Sequence, residues 1–116
     1  MEFDDATHRV SALEYAVGAI GGEIVNGLRQ FAARRRLALD AVEALVTAEV
    51  ANGLTYLEVV GEEAPPRVTR VRVTLYAACD DRDAVAQLLE QTLDRLPLVC
   101  TLRTTLDLRV DLVHVL

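Results

Sequence analysis

The sequence predicts an α+β domain in which two helices cover one face of a largely antiparallel sheet. Apolar residues recur at steps of three or four in one long stretch and in a second, shorter one, as in amphipathic helices. Other stretches alternate apolar and polar residues, as half-buried strands do. A chain of 116 residues with 52 % apolar side chains is enough for one domain with one core. The order helix, hairpin, strand, helix, strand then indicates the α+β class.

The first helix is predicted to run from about Ala12 to Arg36. Ser11 and Glu14 have the spacing of a capping box, and Val10 and Tyr15 that of a hydrophobic staple. The predicted buried stripe consists of Leu13, Val17, Ile20, Ile24, Leu28 and Phe31.

Four glycines interrupt this helix, although each costs about 1 kcal/mol relative to alanine. They are Gly18, Gly21, Gly22 and Gly27. The first three lie near one another beside the apolar stripe. We therefore expect another backbone, from the sheet or from a partner chain, to approach the helix there.

The next elements are predicted from turn and cap residues. Asn52-Gly53 is a strong hairpin signal, with strands on both sides of it. The inward-facing residues of that hairpin would be Val46, Ala48, Val50, Thr55, Leu57 and Val59. A further strand is predicted over residues 70–77.

A second helix is predicted to begin at Asp80 or Asp81 as its N-cap and to end at Pro97. Its stripe would be Val85, Leu88, Leu89, Thr92, Leu93 and Leu96. The last strand is predicted to alternate from Leu102 to Leu112.

Composition and charge argue against several classes of function. The net charge of −6 and the 4 % aromatic content disfavour nucleic-acid binding. Arg34, Arg35 and Arg36 are better explained by the helix dipole than by a phosphate site. No stretch reaches the ~20 apolar residues of a membrane span. Residues 1–10 are expected to be a flexible acidic arm preceding a single domain over 11–116, and they lack the pattern of a secretion signal.

Cysteine and histidine usage predicts a cytoplasmic protein without a cofactor. Cys79 and Cys100 form no disulfide framework. Packing is the favoured role of both thiols. His8 and His114 lie near opposite ends of the chain, so no metal site is expected.

Two stretches resemble the OsmC/Ohr family, the osmotically inducible and organic hydroperoxide resistance proteins. The stretch from Leu13-Glu14-Tyr15-Ala16-Val17-Gly18-Ala19 on to 31–43 is similar to the family's central helix and the beginning of the strand after it. Leu96-Pro97-Leu98-Val99 and the following residues are similar to its second turn and last strand. The resemblance covers 11–112 and implies an OsmC-like fold and a homodimer.

The resemblance also implies a chemistry, the reduction of organic hydroperoxides by two cysteines. The positions of these cysteines fall on Glu23 and Leu96 in this chain. The family's acidic helper falls near Leu13, next to Glu14, and the strands that carry its arginine have no counterpart before residue 11. Nothing replaces sulfur as the nucleophile of that mechanism. The resemblance therefore implies a degenerate active site.

Glu23 has two interpretations: a solvated or interface-rim carboxylate, or a carboxylate buried in the family's peroxide pocket. Our functional prediction is a non-catalytic protein that binds a small apolar ligand or a protein partner in the cleft of a homodimer. One alternative is a thiol-dependent hydroperoxide reductase with a rearranged site that uses Cys100, four residues beyond Leu96, or Cys79. Another is a purely structural subunit that pairs with a longer paralogue.

Overall fold

A computed structural model describes residues 11–61 and 63–115. The predicted arm over 1–10, Val10 of the staple and His8 lie outside these residues. The elements are α1 (Ala12–Arg34), β1 (Ala41–Ala51), α2 (Gly53–Tyr56), β2 (Arg67–Ala78), α3 (Arg82–Leu93), α4 (Pro97–Leu102) and β3 (Asp107–Val115). None of the helices within the described ranges is long and apolar enough to cross a membrane.

Helix α1 begins with the predicted capping box. The Ser11 hydroxyl accepts the Glu14 amide at 3.1 Å, and the Glu14 carboxylate accepts the Ser11 amide at 3.4 Å. The helix ends at Arg34, two residues before the predicted end, because Arg36 adopts a left-handed conformation with φ 55°. The amide of Leu37 then returns to the carbonyl of Ala32 at 2.9 Å, which closes a Schellman motif.

The sheet has three strands in the order β1-β2-β3. Strand β1 is antiparallel to β2, with Val46 opposite Val73, whereas β3 is parallel to β2, with Val110 opposite the same Val73. The α+β class is confirmed, but the sheet is mixed rather than largely antiparallel. The reason is that α3 and α4 carry the chain across to a parallel strand, as parallel pairing requires.

The predicted hairpin at Asn52-Gly53 is wrong. Asn52 is left-handed with φ 60°, but Gly53 is not, so the two-residue turn with positive φ at both positions does not form. Gly53 instead begins the short helix α2, and the Asn52 side-chain amide donates to the Pro65 carbonyl at 3.0 Å. No strand contains Thr55, Leu57 and Val59, and β1 pairs with the longer β2 instead.

The second helix is confirmed at its start and differs at its end. Asp81 is the N-cap, and its carboxylate accepts the Ala84 amide at 3.1 Å. Helix α3 ends at Leu93, and Pro97 begins α4 rather than stopping α3, because proline fits the first turn of a helix. Leu102 is consequently helical, so the predicted last strand is wrong before Asp107 and correct from Leu108 to Leu112.

The core lies between one face of the sheet and the helices α1, α3 and α4. Alternate residues of β2 are fully buried there, and every residue of the predicted α3 stripe is buried. Ile20, Ile24 and Leu28 of the α1 stripe are buried as well, but Leu13 is 44 % exposed. The first turns of α1 are therefore only partly covered by the rest of the domain.

Candidate functional site

Glu23 caps another helix. Its two carboxylate oxygens accept the backbone amides of Leu98 and Val99, each at 3.0 Å. These amides belong to the first turn of α4, whose own N-cap residue, Leu96, has no side-chain oxygen to offer. The carboxylate on α1 thus supplies the missing cap through two charge-assisted hydrogen bonds.

This geometry excludes both a fully solvated Glu23 and an unpaired buried one, whereas a place at the rim of an interface stays a prediction. The side chain is half-buried, so it is not simply solvated, and both of its oxygens are occupied, so it is not an unpaired carboxylate in an apolar cavity. The structure does bring Glu23 against the segment that follows Leu96. The two positions to which the resemblance assigns the family's cysteines therefore adjoin, but without a thiol at either.

Leu96 is buried at 7 % exposure and lies over Gly27 of α1. A Cβ atom at Gly27 would come within 2.6 Å of Leu96 Cδ2 and 3.3 Å of Thr92 Cγ2. Helix α1 is therefore in close contact with α3 and the start of α4 on this side. Gly27 is approached by side chains of neighbouring elements, and no space for a substrate remains over it.

The setting of Cys79 disfavours a thiolate nucleophile, and the thiol of Cys100 is hydrogen-bonded to backbone carbonyls. Burial raises the pKa of Cys79, and the negative charges of Asp80, Asp81 and Asp40 raise it further. Cys100 donates its S–H to the carbonyls of Leu93 and Asp94, at 3.5 and 3.4 Å. Both cysteines are free.

The remaining predicted site residues have structural partners. Glu14 is occupied by the capping box at Ser11. The His114 ring nitrogen Nε2 lies 2.8 Å from the Cys79 carbonyl oxygen. Over 11–61 and 63–115, no three His, Cys, Asp or Glu side chains come together as a metal site would need.

Among the residues that the structure describes, none covers the opposite side of α1 at Gly18 and Gly22. Gly21 contacts β1 so closely that a Cβ atom there would lie 2.6 Å from Val46 Cγ2, whereas a Cβ atom at Gly18 or Gly22 would meet nothing within 4 Å. The predicted approach of another backbone is therefore wrong: Gly21 is contacted closely by side chains of β1, and its two neighbours are not contacted. Between α1 and β1 runs a groove of about 860 Å³, which we call the α1–β1 groove.

The α1–β1 groove is lined mainly by apolar side chains and by the exposed glycines. Leu13, Val17 and Val25 come from α1, and Val42, Val46 and Val50 come from β1. Its charged residues are both acidic, Glu14 and Glu43. A second cavity of about 920 Å³ shares Leu13 and Val50 with it and continues towards Leu54, Tyr56 and Leu57.

Sequence reasoning missed the cap and the groove for different reasons. Leu96-Pro97 carries a usable signal, since proline is favoured at the first position of a helix and an apolar N-cap residue has no side-chain oxygen for the first amides. The pattern around Pro97 predicts a helix stop instead. The only sequence signal for the groove is the set of glycines beside the apolar stripe of α1. Such glycines occur both on helix faces that are exposed and on helix faces that are covered, so they do not predict a groove.

Comparison with solved structures shows which proteins share this architecture. An OsmC-like protein from Mycoplasma pneumoniae superimposes with a TM-score of 0.75 at 11 % identity, over 91 % of this chain and 72 % of the other. The fold is that of the OsmC-like proteins. An organic hydroperoxide resistance protein from Elizabethkingia anophelis superimposes with a TM-score of 0.75 at 6 % identity, over 93 % of this chain and 71 % of the other. The organic hydroperoxide resistance protein OhrB of Bacillus subtilis superimposes with a TM-score of 0.68 at 12 % identity, over 86 % of this chain and 67 % of the other.

The OsmC-like fold is supported by shape alone. No family model and no curated protein matches the sequence. The predicted resemblance in fold is nevertheless confirmed by these structural neighbours. At such low identity, the function has to be argued from the site of this chain itself.

Proposed function

We propose that this OsmC-like protein is a non-catalytic, homodimeric binding protein that holds a small apolar ligand in the α1–β1 groove. The observation that carries the proposal is the groove itself, which is open, lined mainly by valine, leucine and glycine, and of the size of small-molecule sites. An apolar surface left open on a folded domain is a common mark of a binding site.

Several features support binding rather than catalysis. The carboxylate of Glu23 is occupied by two backbone amides, and Leu96 is packed over Gly27. The raised pKa of Cys79 keeps its thiol protonated, which opposes nucleophilic attack on a peroxide. The alternative of a rearranged thiol peroxidase would need Cys100 to leave the carbonyls of Leu93 and Asp94.

The lining also limits the class of ligand. Glu14 and Glu43 are the charged residues of the groove, so an anionic ligand such as a fatty-acid carboxylate is disfavoured. Helix α1 also lines the groove with three glycines, which present backbone and no side chain: Gly18, Gly21 and Gly22. We therefore expect a neutral, mainly hydrocarbon ligand. The neighbours named for organic hydroperoxide resistance suggest the same chemical range, molecules with an apolar body and few polar atoms.

A neutral fluorescent dye such as Nile red tests the proposal. The test variant is Gly22→Leu, which fills the groove from a position with nothing within 4 Å. Ala19→Leu is the matched control, because Ala19 is also exposed on α1 but does not line the groove. We expect saturable dye binding that Gly22→Leu weakens by about tenfold or more, which corresponds to about 1.4 kcal/mol. Equal binding by the wild type and both variants would contradict the proposal.

A further inference from the structure

The connection between β1 and β2 is much longer than the pairing of these strands requires. Ala51 lies opposite Arg67, so the two strand ends are adjacent, and a turn of about two residues could join them. The chain instead makes an excursion over residues 52–66, of which the structure describes 52–61 and 63–66. A surface loop of this kind, whose two ends meet, is an Ω-loop, and Ω-loops are frequently functional.

Hydrogen bonds give the described part of the Ω-loop a defined shape. The Asn52 side-chain amide donates to the Pro65 carbonyl at 3.0 Å, which joins the beginning of the loop to its end. After the short helix α2, the backbone amide of Val59 donates back to the Leu54 carbonyl at 3.0 Å. The loop is therefore folded on itself around α2, and its side chains are held in fixed places beside the sheet.

This loop forms part of the wall of the second cavity, of about 920 Å³, which we call the α2 cavity. The loop contributes Leu54, Tyr56 and Leu57 to the lining, and α1, β1 and β2 contribute the other walls. The exposed fractions of these three side chains are 51 %, 77 % and 67 %. Large apolar side chains that stay so exposed around one concave surface are typical of a ligand site.

The charge of the α2 cavity is opposite to that of the α1–β1 groove. Among the described residues, the charged side chain that lines the α2 cavity is Arg67, whereas those that line the groove are Glu14 and Glu43. Arg67 is exposed and forms no ion pair with another described residue. A guanidinium that lines an apolar cavity is complementary to an anionic group attached to an apolar body.

We propose that the α2 cavity binds a soluble amphipathic monoanion, a molecule with an apolar body and one carboxylate or sulfonate group. The apolar body lies against Leu54, Tyr56 and Leu57, and the anionic group accepts two parallel N–H hydrogen bonds from Arg67. One guanidinium balances one negative charge, which sets the charge of the ligand. The α2 cavity adjoins the α1–β1 groove but takes the opposite class of ligand, so this inference does not depend on the proposed function.

The charges around the cavity favour a free molecule over the headgroups of an anionic membrane. Glu58 and Glu63 belong to the same Ω-loop as the apolar wall, and the whole chain has a net charge of −6. A bilayer rich in anionic lipids brings many negative charges towards these carboxylates, whereas a single bound anion brings one. The ligand is therefore expected to bind from solution.

Two fluorescent dyes that differ by one sulfonate test the role of Arg67: anilinonaphthalene sulfonate, which is anionic, and phenylnaphthylamine, its neutral counterpart. Arg67→Gln should weaken binding of the anionic dye by about fivefold, as expected of an ion pair at an exposed site, and leave binding of the neutral dye unchanged. Arg72→Gln is the matched control, because Arg72 is an exposed arginine of the same strand that does not line the cavity. Equal effects of the two substitutions on the anionic dye, or no effect of either, would overturn the inference.

Three further measurements locate the bound anion and its source. Gly22→Leu, which fills the α1–β1 groove, should bind the anionic dye as the wild type does, whereas loss of that dye would place it in the groove and overturn the inference. Dodecanoate at monomeric concentration should displace the dye. Co-sedimentation with phosphatidylglycerol vesicles should be absent, and its presence would overturn the assignment to a soluble ligand. A protein that binds the anionic dye through Arg67 but does not bind Nile red contradicts only the proposed function.

Discussion

Helix α1 presents glycines on two opposite sides, and those glycines are tightly packed on one side and uncovered on the other. On one side, Gly27 lies under Leu96, and Glu23 reaches across to cap α4. On the other side, Gly18 and Gly22 face open space beside β1. The comparison teaches that the side of α1 to which the resemblance assigns the cysteine positions is a structural contact. The side with open space, among the described residues, is the one next to β1, a strand at the edge of the sheet.

The largest effect expected from this comparison is a difference in sign between two glycine substitutions. Gly27→Ala should lower the free energy of unfolding by up to about 2 kcal/mol, because shifting Leu96 and Thr92 within a packed core costs about 1–3 kcal/mol and the helix preference of alanine offsets about 1 kcal/mol of it. Gly22→Ala should raise it by up to about 1 kcal/mol, because alanine favours the helix and meets nothing there. Urea unfolding of the two variants beside the wild type measures both changes. Effects of the same sign would break the comparison.

A smaller effect is expected at Glu23. Glu23→Ala removes the cap of α4 and leaves the amides of Leu98 and Val99 without their acceptor, so it should cost about 1–2 kcal/mol of stability. Glu23→Gln, which keeps one acceptor oxygen, should cost less. Had Glu23 been an unpaired buried carboxylate, an apolar replacement would have been neutral or stabilising. The melting temperatures of both variants distinguish a stabilising cap from an unpaired buried carboxylate. An unchanged melting temperature would contradict the claim that Glu23 stabilises α4.

The parts of the fold that the sequence predicted are those decided by neighbouring residues. Ser11 and Glu14 are three residues apart, and so are Asp81 and Ala84, so their caps could be recognised from spacing alone. The apolar stripes of α1 and α3 have the same local origin. The predicted hairpin failed because the partner of β1 is selected by pairing over its whole length with β2, which overrides the turn preference of Asn52-Gly53.

The candidate site depends on contacts that no local pattern contains. Glu23 and Leu98 are separated by 75 residues in the chain, and their hydrogen bond exists only because α1 passes the start of α4. The resemblance located both Glu23 and Leu96, yet it could not show what these residues do. The strand that lies beside α1 likewise determines whether Gly18 and Gly22 are covered. The position of that strand follows from the tertiary fold and not from the local sequence.

The most direct test of the central claim is the consumption of an organic hydroperoxide, such as cumene hydroperoxide, in the presence of a dithiol reductant. The wild type should be compared with the Cys79→Ser, Cys100→Ser variant at equal protein concentration. Because Glu23 and Leu96 are structural, and because burial and nearby acidic groups raise the pKa of Cys79, we expect no turnover above that of the variant. Catalytic consumption by the wild type that the double variant loses would contradict the account and establish a thiol peroxidase.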